Sequence, residues 1–211
     1  LKGIQQERTI GDVFDQSMTG ETLVNLKDLN MLIGSGGVLS HAPRRQQTAM
    51  MLIDAFLPEG FTQLTVDSIF MMPQLGVLAK VHEDAALSVF EKDCLIYLGT
   101  CIAPVGKTKI GDAVMEATVT MPDGSKKNIS CKGGELNVVK LGVGEKAKVF
   151  VKPKWGFDLG VGDGKEVEAE VDGGVVGIVF DTRGRPFSLP KDDSERVKLV
   201  KSWYKAMDLY P

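Results

Sequence analysis

A glycine-rich run after an apolar segment is the part of this chain best suited to hold a ligand. Apolar residues 31–33 lead into Gly34-Ser35-Gly36-Gly37, and Pro43 follows shortly after. Glycine lets backbone N–H groups approach a ligand closely, and a helix that begins after such a turn favours anionic groups. The spacing matches neither the phosphate-binding GxxxxGK[ST] loop nor the strict dinucleotide GxGxxG pattern. Two interpretations are therefore open, a ligand contact at Gly34–Gly37 or a purely structural turn.

Residue sets for catalysis or metal binding are not evident elsewhere in the sequence. Cys94, Cys101 and Cys131 form no CxxC pair and have no neighbouring histidine. This scattered set of thiols is typical of a reducing compartment, so we expect a cytoplasmic protein without a metal site. Several aspartates stand beside glycines or helix starts, where caps and turns are the simpler explanation; they are Asp54, Asp67, Asp93, Asp158, Asp163 and Asp181. The sequence thus predicts no catalytic residue and leaves open whether the protein is an enzyme.

Two further stretches combine binding residue types with flexible backbone. In "WGFDLGVGDG" (155–164), Trp155 and Phe157 would form a binding surface, or the glycines would relieve crowding at a tight corner. In "DTRGRP" (181–186), Arg183 and Arg185 would clamp a carboxylate or phosphate, or would be solvated at a hairpin tip. Both pairs of alternatives remain open at this point.

The bulk composition is that of a soluble globular protein. The chain has 211 residues, 43% hydrophobic and 25% charged, with a formal net charge of −3. This composition provides enough apolar residues for a hydrophobic core, but it provides no basic surface that could bind nucleic acid. No run approaches the roughly 18 apolar residues of a membrane span. Leu1 is not an initiator Met, so we expect a piece of a longer polypeptide.

The pattern of the chain changes near residue 91. Before it, the pattern predicts a short strand at 29–33, a helix over "RRQQTAMMLIDAF", a strand at 62–66 and a helix capped by Asp67. That last helix would carry Ile69, Phe70, Leu75 and Leu78, with a break at Pro73. We therefore place one unit at 1–90 and a second at 91–211.

The second unit has the pattern of a β-rich barrel or sandwich. Turn signals recur every few residues, and "DAVMEATVTMPDGSKKNISC" predicts a hairpin around Asp123-Gly124. The final stretch predicts a closing amphipathic helix with an apolar face formed by Val197, Leu199, Val200, Trp203 and Met207. The predicted fold class is α+β.

Several long strings resemble one protein family. "DLNMLIGSGGVLSHAP", "MLIDAFLPEGFTQLTVD" and "PQLGVLA" are similar to the MutL or GlmL family, as are "LGTCIAPVG", "GFDLGVGDG" and "GGVVGIVFDTRGRPFSLP". This is the accessory protein of adenosylcobalamin-dependent glutamate mutase and is unrelated to the mismatch-repair protein of the same name. The resemblance extends from about residue 28 to Pro211.

The resemblance implies a fold and a ligand. The family resembles the actin, sugar-kinase and Hsp70 ATPase superfamily, in which two domains clamp ATP. Residues 1–90 would be the C-terminal part of an actin-like domain. Gly34, Ser35, Gly36, Gly37 and Val38 would contact the adenosine of ATP or ADP. The helix at "PQLGVLA" would pack closely at the cleft base through Gly76 and Ala79.

One superfamily element is missing from the chain. No DxGxT-type phosphate hairpin is present, and "MTGETLV" (18–24) is the nearest string. The phosphates and Mg²⁺ of the nucleotide would therefore be held upstream of Leu1.

The resemblance implies a fragment of an ATPase-like reactivating protein whose partners are mutase subunits, with no nucleic-acid or membrane partner. Two alternatives stay open. The β-rich part would be a ligand- or protein-binding module on a non-catalytic scaffold, or the chain would belong to a small-molecule kinase of the same superfamily.

Overall fold

The computed structural model describes residues 25–210, in which nine strands form two sheets. The strands are β1 (Met31–Gly34), β2 (Gly60–Asp67), β3 (Leu95–Ala103), β4 (Ala113–Thr120), β5 (Lys126–Lys132), β6 (Leu136–Val139), β7 (Lys146–Pro153), β8 (Val167–Asp172) and β9 (Gly177–Asp181). One sheet has the order β1-β2-β3-β9-β6, and the other has the order β5-β4-β7-β8. β1 pairs with β2 and β3 with β9 in parallel, and the remaining pairs are antiparallel.

Helices connect and cover the first sheet. They are a 3-10 turn (Leu26–Asp28), α1 (Gly37–Ser40), α2 (Arg45–Phe56), α3 (Met72–Leu78), α4 (Glu83–Val89), a π-helical turn (Phe90–Cys94) and α5 (Asp193–Ala206). Helix α2 ends where Leu57 adopts φ 46° and Pro58 follows. Helix α5 begins at its cap, Asp192, whose carboxylate accepts the Glu195 N–H at 2.9 Å.

The five-stranded sheet buries both of its faces. On one face, Leu52 and Ile53 of α2 and Trp203 of α5 pack with Leu64 and Val179 of the sheet. The opposite face contributes Ile102, Ile178 and Phe180 to a core shared with Val119 and Val149 of the four-stranded sheet. The order of layers is thus helices, five-stranded sheet, four-stranded sheet.

These layers confirm the predicted α+β class and the closing helix. The four-stranded sheet packs against the other sheet, and residues 25–210 contain no closed barrel, so the barrel alternative is wrong. The hairpin around Asp123-Gly124 is present as β4 and β5. Along β7, buried Ala147, Val149 and Val151 alternate with exposed residues, which are lysines except for Phe150.

The five-stranded sheet takes strands from both sides of residue 91. β1 and β2 come from the predicted first unit, and β3, β6 and β9 come from the second. Along β2 and β3, pairing is continuous from Gly60 with Ala103 to Asp67 with Leu95, apart from one bulge. The change in composition at residue 91 is therefore not a break in the sheet.

Several predicted core positions are exposed. Pro73 lies in the first turn of α3 rather than at a break within a helix, because that helix begins only at Met72. Ile69 and Phe70 precede the helix and are 57% and 51% exposed. Val197, in the second turn of α5, is also half exposed.

Candidate functional site

The glycine-rich turn lies where two parallel strands end side by side. Gly34 at the end of β1 pairs with Val66 of β2, and the two strands run in the same direction. The turn, residues 34–38, includes the first two residues of α1, and Asp67 follows Val66 at the end of β2. In open sheets of parallel strands, ligands bind beyond the carboxyl ends of the strands, so this position is a suitable binding edge.

Each glycine of the turn has a different role. Gly34 is buried, and a Cβ there would lie 2.9 Å from side-chain carbons of both Leu39 and Leu52, so its small size is needed for packing. Gly36 has φ 110°, a conformation that other residues rarely adopt. A Cβ on Gly37 would meet nothing within 4 Å, and no positive φ is required there. Neither the packing nor the backbone of the turn requires glycine at position 37.

The buried carboxylate of Asp67 ties the turn to the start of α3. Its Oδ1 accepts the Met71 N–H at 3.1 Å, and its Oδ2 accepts the Met72 N–H at 3.0 Å. The Ser35 hydroxyl donates to Oδ2 at 3.2 Å. Burial raises the pKa of Asp67, but the hydrogen bonds from Met72, Met71, Ile69 and Ser35 outweigh it and hold the pKa below its usual value. Asp67 is therefore a charged structural anchor whose oxygens are already engaged.

Two hydroxyls fix the far side of the turn. The Ser40 hydroxyl donates to the Asp67 carbonyl at 2.6 Å, and the Thr48 hydroxyl donates to the Leu39 carbonyl at 2.9 Å. Both hydroxyl-bearing residues are buried. Together with Asp67, they link the turn to β2 and α2.

Three backbone N–H groups of this turn belong to the N-cap and the first two residues of α1. No described residue accepts a hydrogen bond from the N–H of Gly36, Gly37 or Val38. Gly37 and Val38 are exposed, with Val38 at 76%. The turn can thus offer hydrogen-bond donors to an oxygen-rich or nitrogen-rich ligand, but it brings no nucleophile together with a base.

Helix α3 does not pack as the resemblance implies. Gly76 is exposed, and a Cβ there would meet nothing within 4 Å. Val77 and Val81 nearby are 66% and 75% exposed. Within the described residues the expectation of close packing is therefore wrong for Gly76, whereas Ala79 packs with the cluster of Leu75, Ala86 and Cys94.

Arg183 and Arg185 clamp a carboxylate inside the protein. Both are buried, and both donate to the fully buried Asp181, from Arg183 at 2.9 and 3.0 Å and from Arg185 at 2.8 Å. Arg183 also pairs with Asp54 at 2.7 Å and stacks on Trp203. Burial raises the pKa of Asp181, but the two guanidinium groups outweigh it and lower that pKa. The interpretation of solvated arginines at a hairpin tip is wrong, since the clamp binds Asp181.

The loop at 155–164 is a tight corner that is held largely by hydrogen bonds within the loop. Asp158 Oδ1 accepts the N–H groups of Gly160 and Gly162, each at 2.8 Å, and its Oδ2 pairs with Lys27. Phe157 is buried, so it adds nothing to a binding surface. Trp155 is 85% exposed and remains available for contacts.

Neither a metal site nor a membrane span is found in the described part. Residues 25–210 bring together no group of three or more His, Cys, Asp or Glu side chains suited to a metal. Within the same residues, every helix is too short or too polar to cross a membrane.

The sequence interpretation missed the residues beside the turn that come from the chain end. Gln47 of α2 donates to the Leu209 carbonyl at 3.1 Å, which places Tyr210 near the residues that follow the turn. No local sequence pattern indicates this contact, because Gln47 and Leu209 lie 162 positions apart.

Comparison with known proteins gives one match. Residues 4–94 match the family model described as MutL protein. Neither the curated proteins nor the solved structures contain a match to the chain. The matched segment includes the glycine-rich turn, Asp67 and α3. Residues 4–94, fewer than half of the 211 residues, are thus similar to the MutL protein family.

Proposed function

We propose that the turn Gly34–Val38 contacts the adenosine part of ATP or ADP. The observation that carries this proposal is the set of three N–H groups, at Gly36, Gly37 and Val38, from which no described residue accepts a hydrogen bond. They lie beyond the carboxyl ends of two parallel strands, where nucleotides commonly bind. The phosphates and Mg²⁺ would be held by residues of the longer polypeptide, so this chain supplies half of a site.

The family supports the wider role. A MutL-type protein is associated with glutamate mutase, which uses adenosylcobalamin. We infer that the full protein is an accessory protein that reactivates such a mutase. ATP-driven movement would release damaged cobalamin and admit intact coenzyme. The proposal assigns no chemical step to this chain, which agrees with a turn that offers only backbone donors.

The exposed Trp155 favours a second role for the β-rich part as a protein-binding module. A large aromatic side chain that is 85% exposed on a hydrogen-bonded loop is a typical interface anchor. We propose mutase subunits as its partner. Trp155→Ala is expected to abolish protection of the mutase while ATP binding is retained, and unchanged protection would contradict this role.

Gly37→Val tests the nucleotide contact directly. A Cβ at Gly37 meets nothing in the protein, so the variant keeps the fold while its side chain blocks a ligand at the N–H groups. Gly76→Val is the matched control, because Gly76 also faces open space. Calorimetry with ADP and Mg²⁺ on the longest natural polypeptide that contains this chain is expected to show loss of affinity for Gly37→Val alone. Equal affinity for the two variants would refute the contact.

A further inference from the structure

Strand β1 is an open end of the five-stranded sheet. Among the described residues it pairs with β2 alone, so the other side of its backbone meets no described strand. The Asn30 carbonyl accepts an N–H of β2 at 2.9 Å, and the Leu32 carbonyl accepts the Thr65 hydroxyl of β2 at 3.2 Å. Backbone groups of successive residues in a strand point to opposite sides. The N–H and C=O groups of Met31 and Ile33 therefore point away from the sheet.

The other three strands at the ends of the two sheets have charged residues in them or next to them. These residues are Lys126, Lys127 and Lys132 in β5, Glu168, Glu170 and Asp172 in β8, and Glu135 and Lys140 beside β6. Charged side chains on an end strand oppose pairing with a further strand. β1 has the sequence MLIG, with no charge, no proline and no bulge. It is therefore the end strand that is best suited to pair with another strand.

β1 is complementary to a second copy of itself in the antiparallel direction. If Leu32 of one copy lies opposite Leu32 of the other, then Met31 of each copy lies opposite Ile33 of the other copy. Residues that are opposite in this way exchange both of their N–H···O=C bonds. The pairing thus satisfies the outward backbone groups of Met31 and Ile33 in both copies. A shift of one residue would instead place these groups against groups that already face β2.

The same pairing covers apolar side chains on both faces of the sheet. Leu32 packs at the margin of the core between the sheet and the helices, and the second Leu32 would extend that core. Side chains of neighbouring residues point to the opposite face. There Met31 is 36% exposed and Ile33 is half-buried, and each Met31 would pack against an Ile33. Apolar cross-strand pairs of this kind stabilise a sheet.

We propose that β1 is an interface between two copies of this protein, which join antiparallel through this strand into one continuous sheet. The occupant is a second copy because the register that satisfies the outward backbone groups is symmetric and brings no charge into the contact. In a symmetric interface the same patch serves both copies, so each contact occurs twice. This inference is independent of the proposed nucleotide contact.

Cysteine cross-linking tests the register. In the proposed pairing the Cα atoms of the two Leu32 residues lie about 4.5 Å apart, within the range for a disulfide, whereas the two Met31 residues are not opposite. Oxidation with copper phenanthroline is expected to cross-link Leu32→Cys and to cross-link the control, Met31→Cys, far less. The wild type should stay uncross-linked, because Cys94, Cys101 and Cys131 are buried. Equal cross-linking of both variants, or none in Leu32→Cys, would overturn the inference.

Sedimentation equilibrium measures the association itself. It is applied to this chain and to the longest natural polypeptide that contains it, from about 10 µM to about 1 mM, which covers weak interfaces. We expect both proteins to form dimers. Met31→Lys should weaken the dimer about tenfold, because the apolar pair with Ile33 is lost at two places. Val77→Lys, at a 66% exposed position in α3, is the matched control and should dimerise like the wild type.

A mixture of two variants tests which residues are opposite. Met31→Lys and Ile33→Glu should each dimerise poorly alone, and mixing them should restore the dimer, because the introduced lysine of one lies opposite the introduced glutamate of the other. Thermal melting confirms that each variant folds.

Three outcomes of sedimentation would overturn the inference. The first is a monomer at every concentration in both proteins. The second is a dimer that Met31→Lys leaves unchanged, which would place the contact elsewhere. The third is a dimer of the 211-residue chain alone, because another strand of the longer polypeptide would then cover β1.

Discussion

Replacement of Asp67 by Asn should loosen the connection between the glycine-rich turn and α3. The carboxylate accepts three backbone N–H groups at 3.0, 3.1 and 3.4 Å and a hydroxyl at 3.2 Å, in a fully buried position. Asn keeps one acceptor oxygen, so the Met72 N–H would face an NH₂ group instead of Oδ2. Hydrogen bonds to a charged group contribute about 1.5–3 kcal/mol each, and a stranded buried donor costs a similar amount.

From these contacts we expect Asp67→Asn to lower the free energy of unfolding by about 3 kcal/mol at pH 7. For a chain of this size the melting temperature should fall by roughly 6–12 °C. Urea unfolding followed by circular dichroism measures the difference. Asp123→Asn is the control, because Asp123 makes similar turn hydrogen bonds to Ser125 but is fully exposed, and we expect little change there.

The pH dependence gives the sharper test. The folded-state pKa of Asp67 lies below its unfolded value, so its charge stabilises the fold above the unfolded pKa of about 3.9. That contribution is lost as pH falls through the folded pKa, where the wild-type carboxyl is protonated. The difference in the free energy of unfolding between the wild type and Asp67→Asn should therefore be constant above about pH 5 and should shrink below pH 4. A gap that is absent at pH 7, or that persists unchanged at pH 3, would refute this account of Asp67.

Three further predictions concern the rest of the fold. Asp181→Asn should lower the free energy of unfolding by about 3–5 kcal/mol, because it leaves buried Arg185 without a paired carboxylate and Arg183 with Asp54 alone, and an unchanged urea midpoint would contradict this. Gly99→Ala should prevent folding, because a Cβ there would lie 1.9 Å from a backbone oxygen. Gly76→Ala in α3 should instead raise the free energy of unfolding by about 0.5–1 kcal/mol. Burial raises the pKa of Cys101 and Cys131 to about 12, so iodoacetamide at pH 8 should leave both thiols unmodified until urea is added.

The local elements were predictable where pattern and turn chemistry agree. The β4–β5 hairpin follows from Asp123-Gly124 between alternating segments, and the alternation along β7 places its lysines outward. Asp67 was expected as a helix cap, and it accepts the N–H groups at the start of α3. These features depend on residues close together in sequence.

Long-range pairing was beyond the sequence pattern. The pairing of β2 with β3 across residue 91 cannot be deduced from composition, because both strands read as short apolar runs. Arg183 and Arg185 look like surface residues in "DTRGRP", and only the tertiary fold shows that Asp181 and Asp54 neutralise them. Tyr210, near the residues that follow the glycine-rich turn, lies more than 160 positions from it in sequence.

The most direct test of the central claim compares two proteins by calorimetry with ADP and Mg²⁺. One is this 211-residue chain, and the other is the longest natural polypeptide that contains it. The account predicts binding by the longer protein and at least about a hundredfold weaker binding by the chain, because the proposed function assigns the phosphates to residues outside the chain. Absence of binding by both proteins would contradict it and would leave the turn at Gly34–Val38 as a structural corner.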